Sequence, residues 1–259
     1  MTVSQNWIGV GRTETGYVRT SNQDALALLD DCGVWMVADG MGGHPAGDVA
    51  AQTAVAMATE RARAGAGRVR EDSGIAADFV ADLVTSANQR IHDIVLERPS
   101  LKGMGTTFVA LAITSSPTPV AHIAHLGDSR AYLYRTGQLT QLTRDHTFVE
   151  TLMQRGLIDA TAALTHPERH ILTKALGMGV DMKPDRTSTP VTPDDLLVLC
   201  SDGLTKMLED AAIASVLSRA NGDPHRACDD LIEQALTRGG EDNVTVVIVA
   251  YVPSAFSGV

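Results

Sequence analysis

Five strand-length apolar runs in this chain each lie within two residues of an aspartate, and no other feature constrains the fold as tightly. Val34-Trp35-Met36-Val37-Ala38 runs into Asp39-Gly40-Met41-Gly42-Gly43-His44. Ala121 to Leu126 runs into Gly127-Asp128-Ser129-Arg130, and Leu196 to Cys200 runs into Ser201-Asp202-Gly203. In the opposite order, Gln23-Asp24 precedes Ala25 to Leu29, and Asp242-Asn243 precedes Val244 to Val249. Apolar runs of this length, bounded by glycine and aspartate, read as buried strands. A single Asp-Gly is by itself a hairpin signal. Its recurrence at one strand end after another calls for a different reading.

If these strands lie side by side, their aspartates meet at one end of a sheet. Carboxylates packed together repel one another and are stable only with cations among them. Oxygen donors without a Cys or His partner favour Mg²⁺ or Mn²⁺ over Zn²⁺. The glycines after Asp39 let the backbone come close to whatever that carboxylate holds. His122 and His125 stand three apart on a strand, so they face opposite sides and read as structural.

Composition narrows the class. At 259 residues and 44% hydrophobic, the chain can bury a full core. It shows no linker and no internal repeat, so one domain over 1–253 with a tail at 254–259 is expected. The formal net charge of −10 argues against nucleic acid, whose binding needs cationic contacts to phosphate. Cys32, Cys200 and Cys228 are odd in number and widely spaced, as reduced thiols of a cytoplasmic protein would be. No apolar run reaches membrane-spanning length, and the N-terminus lacks a signal-peptide layout. A cytoplasmic protein without nucleic-acid or membrane partners is expected.

Six motifs stand in a telling order: Arg19-Thr20-Ser21-Asn22-Gln23-Asp24, Ala38-Asp39-Gly40-Met41-Gly42-Gly43, Gly103-Met104-Gly105-Thr106-Thr107, Gly127-Asp128-Ser129-Arg130, Ser201-Asp202-Gly203 and Asp242-Asn243. From about Gly9 to about Val252 the chain resembles the PP2C family of metal-dependent serine/threonine protein phosphatases, in a compact bacterial form. The resemblance implies an α+β fold, a four-layer α-β-β-α sandwich with two central antiparallel sheets. It implies hydrolysis of phosphoserine and phosphothreonine on proteins by direct attack of a hydroxide bridging two Mn²⁺ or Mg²⁺ ions. A weaker third ion is implied as well. The partners implied are phosphoproteins, among them a bacterial serine/threonine kinase and its substrates, met by a monomer.

The resemblance also assigns roles. Asp39 would bridge the two core ions, the Gly40 carbonyl would bind one, and Asp202 and Asp242 the other. Asp24 would act mainly through a bound water, and Asp128 would help hold the third ion. Arg19 would grip the substrate phosphate, for which a guanidinium fork is suited. Many relatives carry Glu where this chain has Gln23. Eukaryotic relatives often place His directly after Asp-Gly, where this chain has Met41; here the proton donor is either His44 or a metal-bound water. The catalytic set is thus Asp39, Arg19 and His44.

Helix is expected over 46–66, ended by Gly65-Ala66-Gly67, with a polar connector over 65–74. A second helix is expected over 76–97, with Asn88, Gln89, Arg90 and His92 on a solvated face. A hairpin follows over 131–142. Residues 143–182 form a flap with a short helix over 147–155 and then a polar segment in which Thr161, His166 and Arg169 are loop residues. Three other functions are compatible in part: a degenerate family member serving as a scaffold, a phosphatase of anti-sigma-factor antagonists, and a hydrolase of small phosphoesters. The presence of Asp39, Asp202 and Asp242 together speaks against the scaffold.

Overall fold

Trp35 and Val37 point to one side of their strand and Met36 and Ala38 to the other, and both sides are buried. A strand covered on both faces has no polar side, which is why its run is apolar throughout. The computed structural model describes residues 6–41, 46–69, 72–114 and 118–253. One sheet has the order β2 (Asp24–Leu29), β3 (Val34–Asp39), β4 (Phe108–Ile113), β5 (Val120–Leu126) and β8 (Asp185–Pro190). The other has the order β1 (Asn6–Glu14), β10 (Val244–Val252), β9 (Leu196–Cys200), β6 (Arg130–Arg135) and β7 (Gln138–Gln141). Every pairing is antiparallel.

Between the sheets lie Trp35, Val37, Val109, Leu111 and Ile123 from the first and Leu197, Leu199, Val247 and Val249 from the second. The outer face of the first sheet packs on α1 (Gly47–Val69) and α2 (Ser73–Glu97). That of the second packs on α6 (Asp210–Ala220) and α7 (Pro224–Thr237). The layers are therefore helix, sheet, sheet, helix, the expected α+β sandwich. The 131–142 hairpin is also present, turning through Thr136 and Gly137 at φ 49° and 85°. Positive φ at both turn residues matches the twist of the flanking strands.

Five expectations need correction. The aspartates do not meet at the end of one sheet: Asp24, Asp39 and Asp128 belong to the β2-β3-β5 side, and Asp202 and Asp242 to the β9-β10 side. They meet at one end of the sandwich, across the two sheets. The first helix does not stop at Gly65 but runs to Val69. A Cβ at Gly65 would lie 2.5 Å from the ring of Phe79 in α2, so that glycine serves helix–helix approach. The second helix starts at Ser73 because Asp72 caps it, accepting from Gly74 N at 2.8 Å and Ile75 N at 3.1 Å. Within residues 143–182, α3 (Phe148–Gln154) is followed by α4 (Ala160–Thr165), capped by Asp159, in place of an unbroken polar segment.

The fifth correction concerns Asn88, which is buried rather than solvated. Its amide donates to the carbonyls of Gly179 at 2.8 Å and Val180 at 3.0 Å, and its oxygen accepts from Gly177 N at 2.8 Å. One side chain thus satisfies the backbone of residues 177–180, ahead of β8. Leaving buried backbone groups unpaired costs about 1–3 kcal/mol each. Asn88→Ala should accordingly lower unfolding free energy by about 2–4 kcal/mol in urea titration, with faster amide exchange at Gly177. An unchanged midpoint would show that this segment is held by other contacts.

Candidate active site

Strand register sets the first pair of carboxylates. Asp24 and Asp39 are directly opposed at the end of the β2-β3 ladder. Because β3 and β5 are both antiparallel to β4, their C-terminal ends coincide, which brings Asp128 to the same place. In the second sheet β9 ends and β10 begins at that end, supplying Asp202 and Asp242. Burial holds the Asp39 carboxyl well above the usual range, and Asp24, Asp202, Asp128 and Asp242 add to the shift. Burial, then Asp202 and Asp145, push Asp128 up to about 8. A cleft of about 1330 Å³ opens here, and Asp39, Gly40, Asp128, Asp202, Asp242 and Arg19 line it.

Each carboxylate is fixed by a different support. Asp39 N donates to Thr107 Oγ1 at 3.1 Å, while its carbonyl accepts from Thr107 N at 2.9 Å and Thr106 Oγ1 at 2.8 Å. The two threonines of the Gly-Thr-Thr motif thus clamp the strand end that carries Asp39. Gly40 N donates to the Gln23 carbonyl, and a Cβ on Gly40 would strike the Gly47 carbonyl, so only glycine fits. Asp24 does not line the cleft. Its Oδ2 accepts from Ser201 Oγ at 2.8 Å and Thr245 Oγ1 at 2.6 Å, linking one sheet to the other. Burial lifts Asp24 to about 6 despite those two hydroxyls.

Two cations sit among the acids. Arg19 donates Nε to Asp242 Oδ1 at 2.8 Å and Nη2 to Oδ2 at 3.0 Å. Lys206 Nζ lies 2.6 Å from Asp202 Oδ2 and 3.0 Å from Asp242 Oδ2. Burial works to raise the Asp242 pKa, yet Lys206 and Arg19 hold it below the usual carboxylate range. Among the described residues, no three His, Cys, Asp or Glu side chains are grouped closely enough to share one ion as they stand. The donor set nonetheless suits a hard divalent ion: all-oxygen, crowded, and with Asp24 Oδ1 and Asp202 Oδ1 buried and without hydrogen-bond partners.

Asn243 orders the loop that carries Arg19. Its Oδ1 accepts from Gln23 N, and its Nδ2 donates to the carbonyls of Thr15 and Ser21, all at 2.9 Å. Sequence reasoning gave no role to Asn243 or Lys206. Lys206 was findable, since it follows Asp202 by four residues, the spacing of a helical ion pair. The bonds of Asn243 span about two hundred residues and leave no local trace. His44 lies outside the described residues, as do Gly42 and Gly43. Arg169 and His170 line the cleft, and Thr161 and His166 do not. Arg130 is bound to Asp145, with Nη2 2.7 Å from Oδ2, so it braces the turn after Asp128.

The fold and the site together define a class: an α-β-β-α sandwich with a carboxylate cluster and an arginine at one end of its sheets. Comparison gives the family. The model of the family described as protein phosphatase 2C matches residues 14–236. Serine/threonine protein phosphatase PstP of Mycobacterium tuberculosis is 38% identical over 242 residues, covering 92% of this chain and 43% of that longer protein. Serine/threonine phosphatase stp of Listeria innocua is 36% identical over 245 residues, covering 92% of this chain and 93% of its own. A crystal structure of the PstP catalytic domain in complex with two manganese ions superposes with a TM-score of 0.81. It is 33% identical and covers 96% of this chain and 100% of that one. The chain belongs to the protein phosphatase 2C family.

Behind the cluster, the imidazoles of His125 and His146 stack with centroids 4.7 Å apart. His125 Nε2 bonds the Arg144 carbonyl at 2.8 Å, and His146 Nδ1 accepts from Gly127 N at 3.1 Å. The pair joins the 144–146 segment to the turn that carries Asp128. His122, on the other face of β5, bonds Ser73 and Ser188. Burial, together with His125, lowers the His146 pKa to about 4, and Asp185 offsets only part of that. The folded protein therefore holds His146 neutral, while the unfolded chain takes up a proton near pH 6.5. Its contribution is complete above that pH and declines as pH falls toward 4. The stability gap between the protein and His146→Asn should narrow by about 2 kcal/mol between pH 7 and pH 5. Denaturant titrations at both pH values measure it, and a pH-independent gap would refute the neutral histidine.

Proposed function

We propose that this chain hydrolyses phosphoserine and phosphothreonine on proteins, with Mn²⁺ or Mg²⁺ held by Asp39, Gly40, Asp202, Asp242, Asp24 and Asp128, and that it opposes a serine/threonine kinase. The observation that carries it is four carboxylates, Asp39, Asp128, Asp202 and Asp242, lining one cleft beside Arg19, with Asp24 set behind them. Family membership and the manganese-bound relative support the choice of ion. When bound, such ions lower the pKa of water and offset the charge of the phosphoryl group.

The side chains divide the remaining work. Asp39 belongs to the strand end clamped by Thr106 and Thr107, which fixes the backbone that carries it. Asp202 and Asp242 approach from the second sheet. Arg19 offers a planar fork at the cleft mouth, where a phosphate would compete with Asp242 for its two N–H groups. The departing seryl or threonyl oxygen needs a proton, supplied by His44 or by water. No cysteine takes part: burial pushes the Cys200 and Cys228 thiols up to about 12, and neither lines the cleft. The buried thiols of Cys200 and Cys228 accord with a reducing, cytoplasmic setting. Among the described residues no helix is long and apolar enough to cross a membrane. One domain over 1–253, with residues 143–182 as its flap, acting as a monomer, completes the proposal; residues 254–259 lie outside the described structure.

Release of phosphate from a phosphothreonine peptide in the presence of manganese tests it. Activity should vanish with EDTA and should exceed that on a free small phosphoester at matched concentration. Asp39→Asn should lose at least about a hundredfold in kcat/KM while its far-UV circular dichroism is unchanged. Near-normal turnover by that variant would remove Asp39 from the site. Equal rates on both substrates would point to a small-molecule phosphatase instead.

A further inference from the structure

We propose that Lys206 is a tethered counter-cation of the acidic cluster, holding Asp202 and Asp242 together and competing with a divalent ion for both of them. The proposal rests on the metal-site reading above and adds a residue of opposite charge to it. Lys206 follows the four-residue helix α5 (Asp202–Thr205), and its amide donates to the Asp202 carbonyl at 2.8 Å. That turn returns its ammonium to the carboxylate at the start of the same helix, 2.6 Å from Asp202 Oδ2. The same nitrogen reaches Asp242 Oδ2 at 3.0 Å, across from β9 to β10.

The oxygen inventory shows the competition. Asp242 Oδ1 takes Arg19 Nε and Asn243 N, and Asp242 Oδ2 takes Arg19 Nη2 and Lys206 Nζ. Neither oxygen can turn to an ion without giving up a donor. Asp202 Oδ2 is held by Lys206, while Asp202 Oδ1 is buried and has no hydrogen-bond partner. Of the two cations, lysine is the one suited to leave. Its charge is compact and sits on a flexible four-carbon stem, whereas arginine makes a two-point fork. An entering ion must therefore displace a cation that is already satisfied. Without Lys206, the two aspartates would face each other with less compensation and bind an ion more readily.

Calorimetric titration of Mn²⁺ into the EDTA-stripped full chain, with no substrate present, distinguishes the outcomes. Lys206→Met and Lys206→Gln should each bind Mn²⁺ about tenfold more tightly than the unaltered chain, a difference of about 1.4 kcal/mol. Both should melt at lower temperature than the unaltered chain in EDTA and gain more from saturating Mn²⁺. Lys206→Arg, which keeps the charge, should bind Mn²⁺ close to the unaltered affinity. Binding by all four proteins with one dissociation constant would overturn the role of Lys206 and leave the metal site standing. Binding by none of them would overturn the metal site, and this inference with it.

Discussion

Like charges gathered at one end of the sandwich are the constraint around which the rest is arranged. Burial, and then the neighbouring carboxylates, raise the cost of ionising Asp24, Asp39 and Asp128. The fold offsets this unevenly. Arg19 and Lys206 neutralise the acids of the second sheet, whereas Asp24 receives only hydroxyls and Asp39 only backbone support. Charge that is not offset concentrates on the first-sheet side of the cleft. Folding stability is given up there, as is usual where a protein must bind something its own atoms do not supply.

Rigid elements place the carboxylates, and the groups nearest the cleft mouth are on loops. Asp39 stands at a strand end locked by two threonines, and Asp24 is hydrogen-bonded across the sheets. Arg19 rides on a loop that Asn243 holds from three sides. The 143–182 segment is tied near its start by the stacked histidines and near its end by Asn88. Charge is thus positioned by the core, and access to it by polar side chains buried just outside the core. This division of labour suits phosphoester chemistry, where the ion donors must hold still and the substrate must enter and leave.

Strand positions and the outer layers were legible because their cause is local. A run covered on both faces must be apolar at every position, and Val34 to Ala38 or Leu196 to Cys200 announce themselves on that ground. The helix boundary at Gly65 was misread for the same reason. A glycine lowers local helix propensity, but here the space it leaves is filled by Phe79 from the neighbouring helix. Asn88 was assigned to the solvated face because polar residues usually are; its partners lie about ninety positions away.

By itself the sequence determined which residues carry charge, which runs become strands, and, through six ordered motifs, the family whose chemistry is to be expected. Only the tertiary structure decided that the aspartates meet between two sheets and not along one, that Asp24 is a cross-sheet tie set back from the cleft, and that Lys206 and Arg19 share Asp242. The physical reason is range. Burial and backbone propensity act within a few residues and leave a pattern in the chain, whereas hydrogen bonds and ion pairs act within about 3 Å in space and carry no record of how far apart their partners are in sequence.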